Sequence, residues 1–354
     1  MNHFEPSVAR ARHCRKEMDG ALWASVQAIV PDRDRKGQSG GDRPLARPAS
    51  PERAPAETYP SAARPTDLLD YGAYFDLSLV PAFGSEVPEY AKAAAVGELA
   101  RRLVHIDGSG DTTVFPRISN FSSDTYAPEH LDRMRRWWDM EPANRMAMTG
   151  ASDEEVVRSR RLIGIALDHL HDASAELCEE VRTIVRDIVL SRPDGSNRIN
   201  YGGATSFALW GAFTINVETH LEWIQFYRQI VHEAAHNLLF GMARDEPLVR
   251  DDASVRVQSP IRADPRPLDG VYHAAFVSAR EALAIDLLLC RHEAVGCLEN
   301  DDPKVLEDLL GISVLAFWDC IETLRRDAQL TDLGADILAD CEKYMVENFA
   351  LESS

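Results

Sequence analysis

Hydrophobic and polar residues fall along much of this chain at helical intervals. Val156, Val157, Leu162, Ile163, Ile165, Ala166 and Leu170 follow Ser152-x-x-Glu155, a capping-box signature, and predict an amphipathic helix opening at Ser152. Asp302-Pro303 offers another cap with proline in the first turn, ahead of Leu306, Leu309, Leu310, Leu315, Phe317 and Trp318. A last amphipathic stretch runs from Asp332 to Phe349. Strand signals are fewer; the clearest is Phe207 to Ile215, introduced by Tyr201-Gly202-Gly203 and ended by Asn216. The expected fold class is mainly α (α+β), a helical domain with a small β-sheet.

Residues 31–66 break the pattern. They hold seven prolines and hardly a large aliphatic side chain, so they cannot bury enough apolar surface to offset their ordering entropy. Residues 1–66 are therefore expected to form a disordered or flexible N-terminal segment, in which Ala21 to Val30 can become helical on docking. Residues 67–200 are expected to be the helical N-terminal part of the body, engaging substrate, and residues 201–354 its metal-binding catalytic part.

Charge narrows the range of partners. The 354 residues carry a formal charge of −19, and residues 1–66 hold 11 Lys and Arg against 8 Asp and Glu, which leaves 27 against 49 for the remainder. An acidic body repels phosphate backbones, which excludes nucleic acid as the expected partner. No stretch approaches the roughly 18 uninterrupted apolar residues of a membrane span. The six cysteines are scattered without a C-x-x-C pair, and the first 30 residues lack a secretory apolar block, so a reducing, cytoplasmic location is expected.

The chemistry concentrates in Val231-His232-Glu233-Ala234-Ala235-His236-Asn237-Leu238-Leu239-Phe240-Gly241. His232, Glu233 and His236 make H-E-x-x-H. Thr219-x-x-Glu222 reads as the cap of the surrounding helix, and Gly241 as its terminator. The i, i+4 spacing puts both imidazoles on one helical face, where they can share a cation, while Tyr227, Val231, Ala234 and Leu238 hold the helix to the core. Two histidines leave a catalytic ion short of a third protein ligand. Leu239 stands where one class of zinc peptidase needs glycine, and the only Glu between His236 and His273 is Glu246, in an apparent loop. His273 is the leading candidate, in the first turn of a helix that follows Asp269-Gly270. Arg280 lies two turns on, nearly on the same face, and could grip a carboxylate. His169 and His171 fall on different faces of their helix, and His292-Glu293 has Gly296 where a second histidine would stand, so neither pair makes a second centre.

Several blocks together resemble a known family. They are Thr205-Ser206-Phe207-Ala208-Leu209-Trp210-Gly211-Ala212, the H-E-x-x-H block through Gly241, Asp245-Glu246-Pro247-Leu248-Val249, and the run from Ser259-Pro260-Ile261-Arg262 through Asp264-Pro265-Arg266-Pro267 to His273 and Arg280. Over residues 200–300 the chain resembles the HExxH-motif peptide-modification proteins of ribosomal natural-product pathways, understood as 2-oxoglutarate-dependent peptide β-hydroxylases. The resemblance implies Fe(II) on His232, His236 and His273, with 2-oxoglutarate and dioxygen taking the open positions and a peptide as substrate. It also implies an arginine for the distal carboxylate of the keto acid: Arg280 first, then Arg262 and Arg266. The role of Glu233 stays open in that chemistry.

The motif without the resemblance reads differently. In an HExxH zinc metallopeptidase the same histidines hold Zn(II), and Glu233 is the general base that activates water. Phe207 to Ile215 would serve as the edge strand along which an extended peptide pairs, in either enzyme. A non-catalytic helical binding protein is the remaining alternative.

Overall fold

The computed structural model describes residues 2–29, 116–126, 128–138, 147–196, 201–252, 254–260 and 265–349. The linker expected at 31–66, and all of 67–115, lie outside the described residues. Helices dominate, around a small mixed sheet, as the periodicity predicts.

Helix α1 (Val8–Ile29) is followed by β1 (Arg117–Asn120), α2 (Pro128–Trp138) and β2 (Met148–Thr149). Next come α3 (Asp153–Ala173), α4 (Ala175–Ile184), β3 (Asp187–Pro193), β4 (Gly203–Thr205) and β5 (Ala212–Asn216). The chain then forms α5 (Trp223–Met242), the short strands β6 (Arg256–Val257) and β7 (Arg266–Pro267), and three helices: α6 (Leu268–Val295), α7 (Asp302–Asp327) and α8 (Asp332–Phe349). The expected cap of α3 is present, with Ser152 and Glu155 bonded reciprocally, and Pro303 occupies the first turn of α7.

The sheet order is β1-β3-β5-β4, with β2 on the end of β3. β1, β3 and β5 run parallel and β4 is antiparallel at the edge. All five residues of β5 and the first five of β3 are buried, as expected for parallel strands covered on both faces. The strand expected from Phe207 to Ile215 is in fact two pieces: Phe207–Leu209 is a 3₁₀ turn, and β5 starts at Ala212. Gly211, at φ +83°, reverses the chain between them. β5 is also interior, so the edge position falls to β4. The two parts of the body expected on either side of residue 200 share this sheet, since β3 pairs with β5.

Helix α5 is buried nearly all round by Ile224, Phe226, Tyr227, Ile230, Val231, Ala234, Ala235, Leu238 and Leu239. Its cap is one turn later than expected: Gln225 Oε1 accepts from the Leu221 and Glu222 amides at 2.6 and 3.0 Å. Gly241 lies inside the helix instead of ending it. A Cβ there would come within 3.0 Å of Cys14, so this glycine admits α1.

That contact corrects the expectation of a loose N-terminus. Phe4, Ala11, Cys14 and Met18 are buried, and α1 packs on α4 and α5. Glu180 of α4 joins the segment to the body, accepting from the Ser7 amide at 2.8 Å and from Arg10 at 2.7 Å while its other oxygen pairs with Arg280. The apolar positions of α1 are too sparse to announce this in sequence, because a buried ion cluster does part of the fastening. Removing the shared anion strands two buried guanidiniums, so Glu180→Gln is expected to cost about 3–5 kcal/mol, read as a lowered midpoint in urea denaturation.

Candidate metal centre

Helices α5 and α6 lie antiparallel, and three contacts set their register. Tyr227 donates its hydroxyl to the Ala284 carbonyl at 2.6 Å, Arg228 Nε meets Glu281 at 2.9 Å, and His236 Nδ1 lies 3.0 Å from His273 Nδ1. Two histidines from one helix and one from its neighbour are thereby brought together. The ring centroids of His232 and His236 are 5.0 Å apart and those of His236 and His273 are 5.3 Å apart, the latter pair stacked. Phe240 packs against His273 at 4.7 Å and Phe207 against Phe240 at 5.4 Å, giving the cluster an aromatic side. His273 is buried, whereas the side chain of His232 is 35% exposed, which leaves the cluster open on one side.

Two carboxylates flank the rings, and their surroundings differ. Glu281 Oε1 meets His232 Nδ1 at 2.6 Å, and its other oxygen accepts from Arg228 at 2.9 Å and Ser313 at 2.8 Å. Burial alone would raise the Glu281 pKa, but these donors and the neighbouring positive charges outweigh it and hold the group below the ordinary range. His232 responds in the opposite sense: burial disfavours its charge, yet the Glu281 hydrogen bond and carboxylate raise its pKa. Glu233 faces β4. Its carboxylate accepts from the Thr205 hydroxyl and from Gln229 Nε2, and Gln229 in turn meets His220 at 3.3 Å. Burial raises the Glu233 pKa, and His232 with the two donors only partly restores it. Burial lowers the His273 pKa.

The arginines expected near a keto acid separate. Arg280 is displaced from that role: it lies on the other flank of the α5–α6 seam, its guanidinium bonded to Glu180 and to the Phe4 carbonyl. The spacing from His273 does keep both residues on one helical face, but α5 presses on that face, and a long side chain beside the seam can leave on either flank. Arg262 lies outside the described residues. Arg266 is half-buried in β7, at the foot of α6. Glu281, Thr205, Gln229 and Arg228 are additions. Glu281 sits two turns beyond His273 on its helix, a spacing that becomes informative only once α6 is known to run antiparallel to the motif.

Donor chemistry fits a divalent ion. His236 Nδ1 and His273 Nδ1 stand 3.0 Å apart, a hydrogen-bond distance, so an ion shared by these two atoms would have to displace the proton between them. His232 engages a carboxylate through Nδ1, which leaves Nε2 as its donor toward an ion. Among the described residues, no three His, Cys, Asp or Glu groups already form a finished cage, so the rings are adjacent without yet converging. Two concavities lie elsewhere. A void of about 10 Å³ sits between Glu180, Arg280 and the far side of α5, and an open groove of about 450 Å³ runs past Ser152, Arg192 and Glu218.

Three of the sequence blocks meet at α5. Thr205 bonds Glu233, the Gly211 amide donates to Asn237 Oδ1 at 2.6 Å, and Trp210 Nε1 donates to the Asn237 carbonyl at 2.6 Å, while the last block contributes His273. Comparison with protein-family models and with curated proteins gives no match for this chain. Among the described residues no helix is long and apolar enough to cross a membrane.

The close approach of β4 to Glu233 requires glycine at 203. A Cβ there would lie 2.7 Å from Glu233 Oε1 and Gln229 Nε2 and 2.8 Å from the Thr214 carbonyl. Side chains can yield, but the backbone of β5 cannot. Gly203→Ala is expected to cost about 1–3 kcal/mol in thermal or urea unfolding. Gly202→Ala, which meets chiefly the Gln229 side chain, should cost clearly less.

Proposed function

We propose that this protein is an Fe(II)- and 2-oxoglutarate-dependent dioxygenase that hydroxylates a side-chain Cβ of a ribosomally made peptide. The resemblance of residues 200–300 supplies the reaction class. The observation that carries the reading is the delivery of His273 from a separate helix to 3.0 Å from His236, beside His232. Held by these three imidazoles, iron with the keto acid supplies the oxidising power to insert one atom of dioxygen into a C–H bond, with succinate and carbon dioxide as co-products.

The protein's own groups would orient and shield. Phe240 and Phe207 keep water from the His273 side of the centre. Arg266 is the remaining described candidate of the three arginines for the distal carboxylate of the keto acid, with Arg262 in the run before it. The edge strand β4 offers its outer side to an extended peptide, next to the turn of α5 that bears the motif. Thr205 and Gln229 hold Glu233 against that strand, so its part in this reaction is to fix the peptide-facing edge relative to the histidines.

A zinc peptidase is the second reading, favoured by one observation: Glu233, its proton affinity raised by burial, lies between the histidines and β4. As a base it would have to release one of its two donors to reach a water molecule. Anaerobic reconstitution with Fe(II), followed by 2-oxoglutarate, oxygen and candidate peptides, is expected to give succinate and a peptide heavier by one oxygen. His232→Ala and His273→Ala should abolish both products, and Arg266→Ala should raise the KM for the keto acid while metal uptake is kept. Peptide cleavage that Glu233→Gln abolishes, with the keto acid untouched, would establish the hydrolytic reading. A chain with no reaction dependent on His232 is a binding protein.

A further inference from the structure

We infer that Glu281 is a positioning residue of the centre, locking the His232 ring so that Nε2 is offered to the metal, and that Arg228 and Ser313 are built in to hold that carboxylate. The inference rests on the metal-binding reading above and assigns a part to residues that the motif does not contain.

The geometry is specific. His232 is joined to the Glu281 carboxylate at 2.6 Å through Nδ1. A carboxylate accepts and does not donate, so this contact places a proton on Nδ1. In neutral imidazole that leaves Nε2 as the lone-pair nitrogen. The ring is partly exposed and on its own could take either tautomer and several orientations; the contact removes that freedom before an ion arrives. Glu281 is itself immobilised. It is buried on α6, and its second oxygen is shared by Arg228 from α5 and Ser313 from α7, at 2.9 and 2.8 Å. Three helices therefore meet on one carboxylate whose free end is aimed at one histidine. A carboxylate that orients a metal-binding histidine raises metal affinity about 10–100-fold.

The test uses the full chain and the metal alone. Fe(II) under anaerobic conditions, and Co(II) as a spectroscopic substitute, are titrated into the wild type, Glu281→Gln, Ser313→Ala and His232→Ala. Glu281→Gln keeps the size of the side chain and an acceptor for Nδ1–H but removes the charge; a 10–100-fold weaker metal affinity is expected, with Ser313→Ala shifted in the same direction by less. Nitrogen NMR of the histidine-labelled, metal-free protein provides a separate readout. The His232 resonances, identified by their loss in His232→Ala, should be those of a ring with its Nδ1 protonated in the wild type. Unchanged affinity in a folded Glu281→Gln protein overturns the inference. An affinity as low as that of His232→Ala also overturns it, by making Glu281 a ligand in its own right. If the wild type takes up neither metal, the proposed function fails, and the NMR spectrum still decides whether Glu281 sets the His232 tautomer.

Discussion

The antiparallel seam between α5 and α6 is the constraint on which the rest depends. A pair of histidines four residues apart lies on one helix, and a third imidazole can join them only from another element. The seam brings that ring alongside, because the Tyr227 hydroxyl on the Ala284 carbonyl and Arg228 on Glu281 fix the sliding register of the two helices. In that register His273 falls opposite His236. A slip of one turn, about 5.4 Å, would separate the rings entirely. Small side chains at Ala234 and Ala235 on α5 and at Ala275, Ala279 and Ala282 on α6 are buried along these helices and permit close packing.

Charge is segregated on the two flanks of the seam. On one, Glu281 gathers His232, Arg228 and Ser313; on the other, Glu180 gathers Arg10 and Arg280. Each buried carboxylate meets several donors, the condition under which burying an ion is tolerable. The adjacent residues Arg280 and Glu281 thus serve different purposes, one closing the N-terminal helix onto the body and the other facing the histidines. The acidic surface and the buried cations are independent features of the chain.

The periodicity of α3, α7 and α8 was legible because local rules suffice there: a reciprocal cap, a proline in the first turn and an apolar stripe. The single strand expected from Phe207 to Ile215 was not legible as two pieces, since aromatic content alone does not reveal that Gly211 reverses the chain. Docking of residues 2–18 was missed for a different reason. Its fastening is the Glu180 cluster, which pairs residues 170 positions apart in the chain, and composition carries no trace of such a partner.

By itself, the sequence determined the helical character of the body and the placement of His232, Glu233 and His236 on one buried helix. These follow from spacing along a single element, where geometry is set by the 3.6-residue turn. Only the tertiary structure decided which way Arg280 points, that Glu233 is tied to β4, and that Glu281 faces His232. Each of those depends on which flank of a helix meets a neighbour, and the direction and register of that neighbour are set by packing across the seam, not by any repeat within the chain.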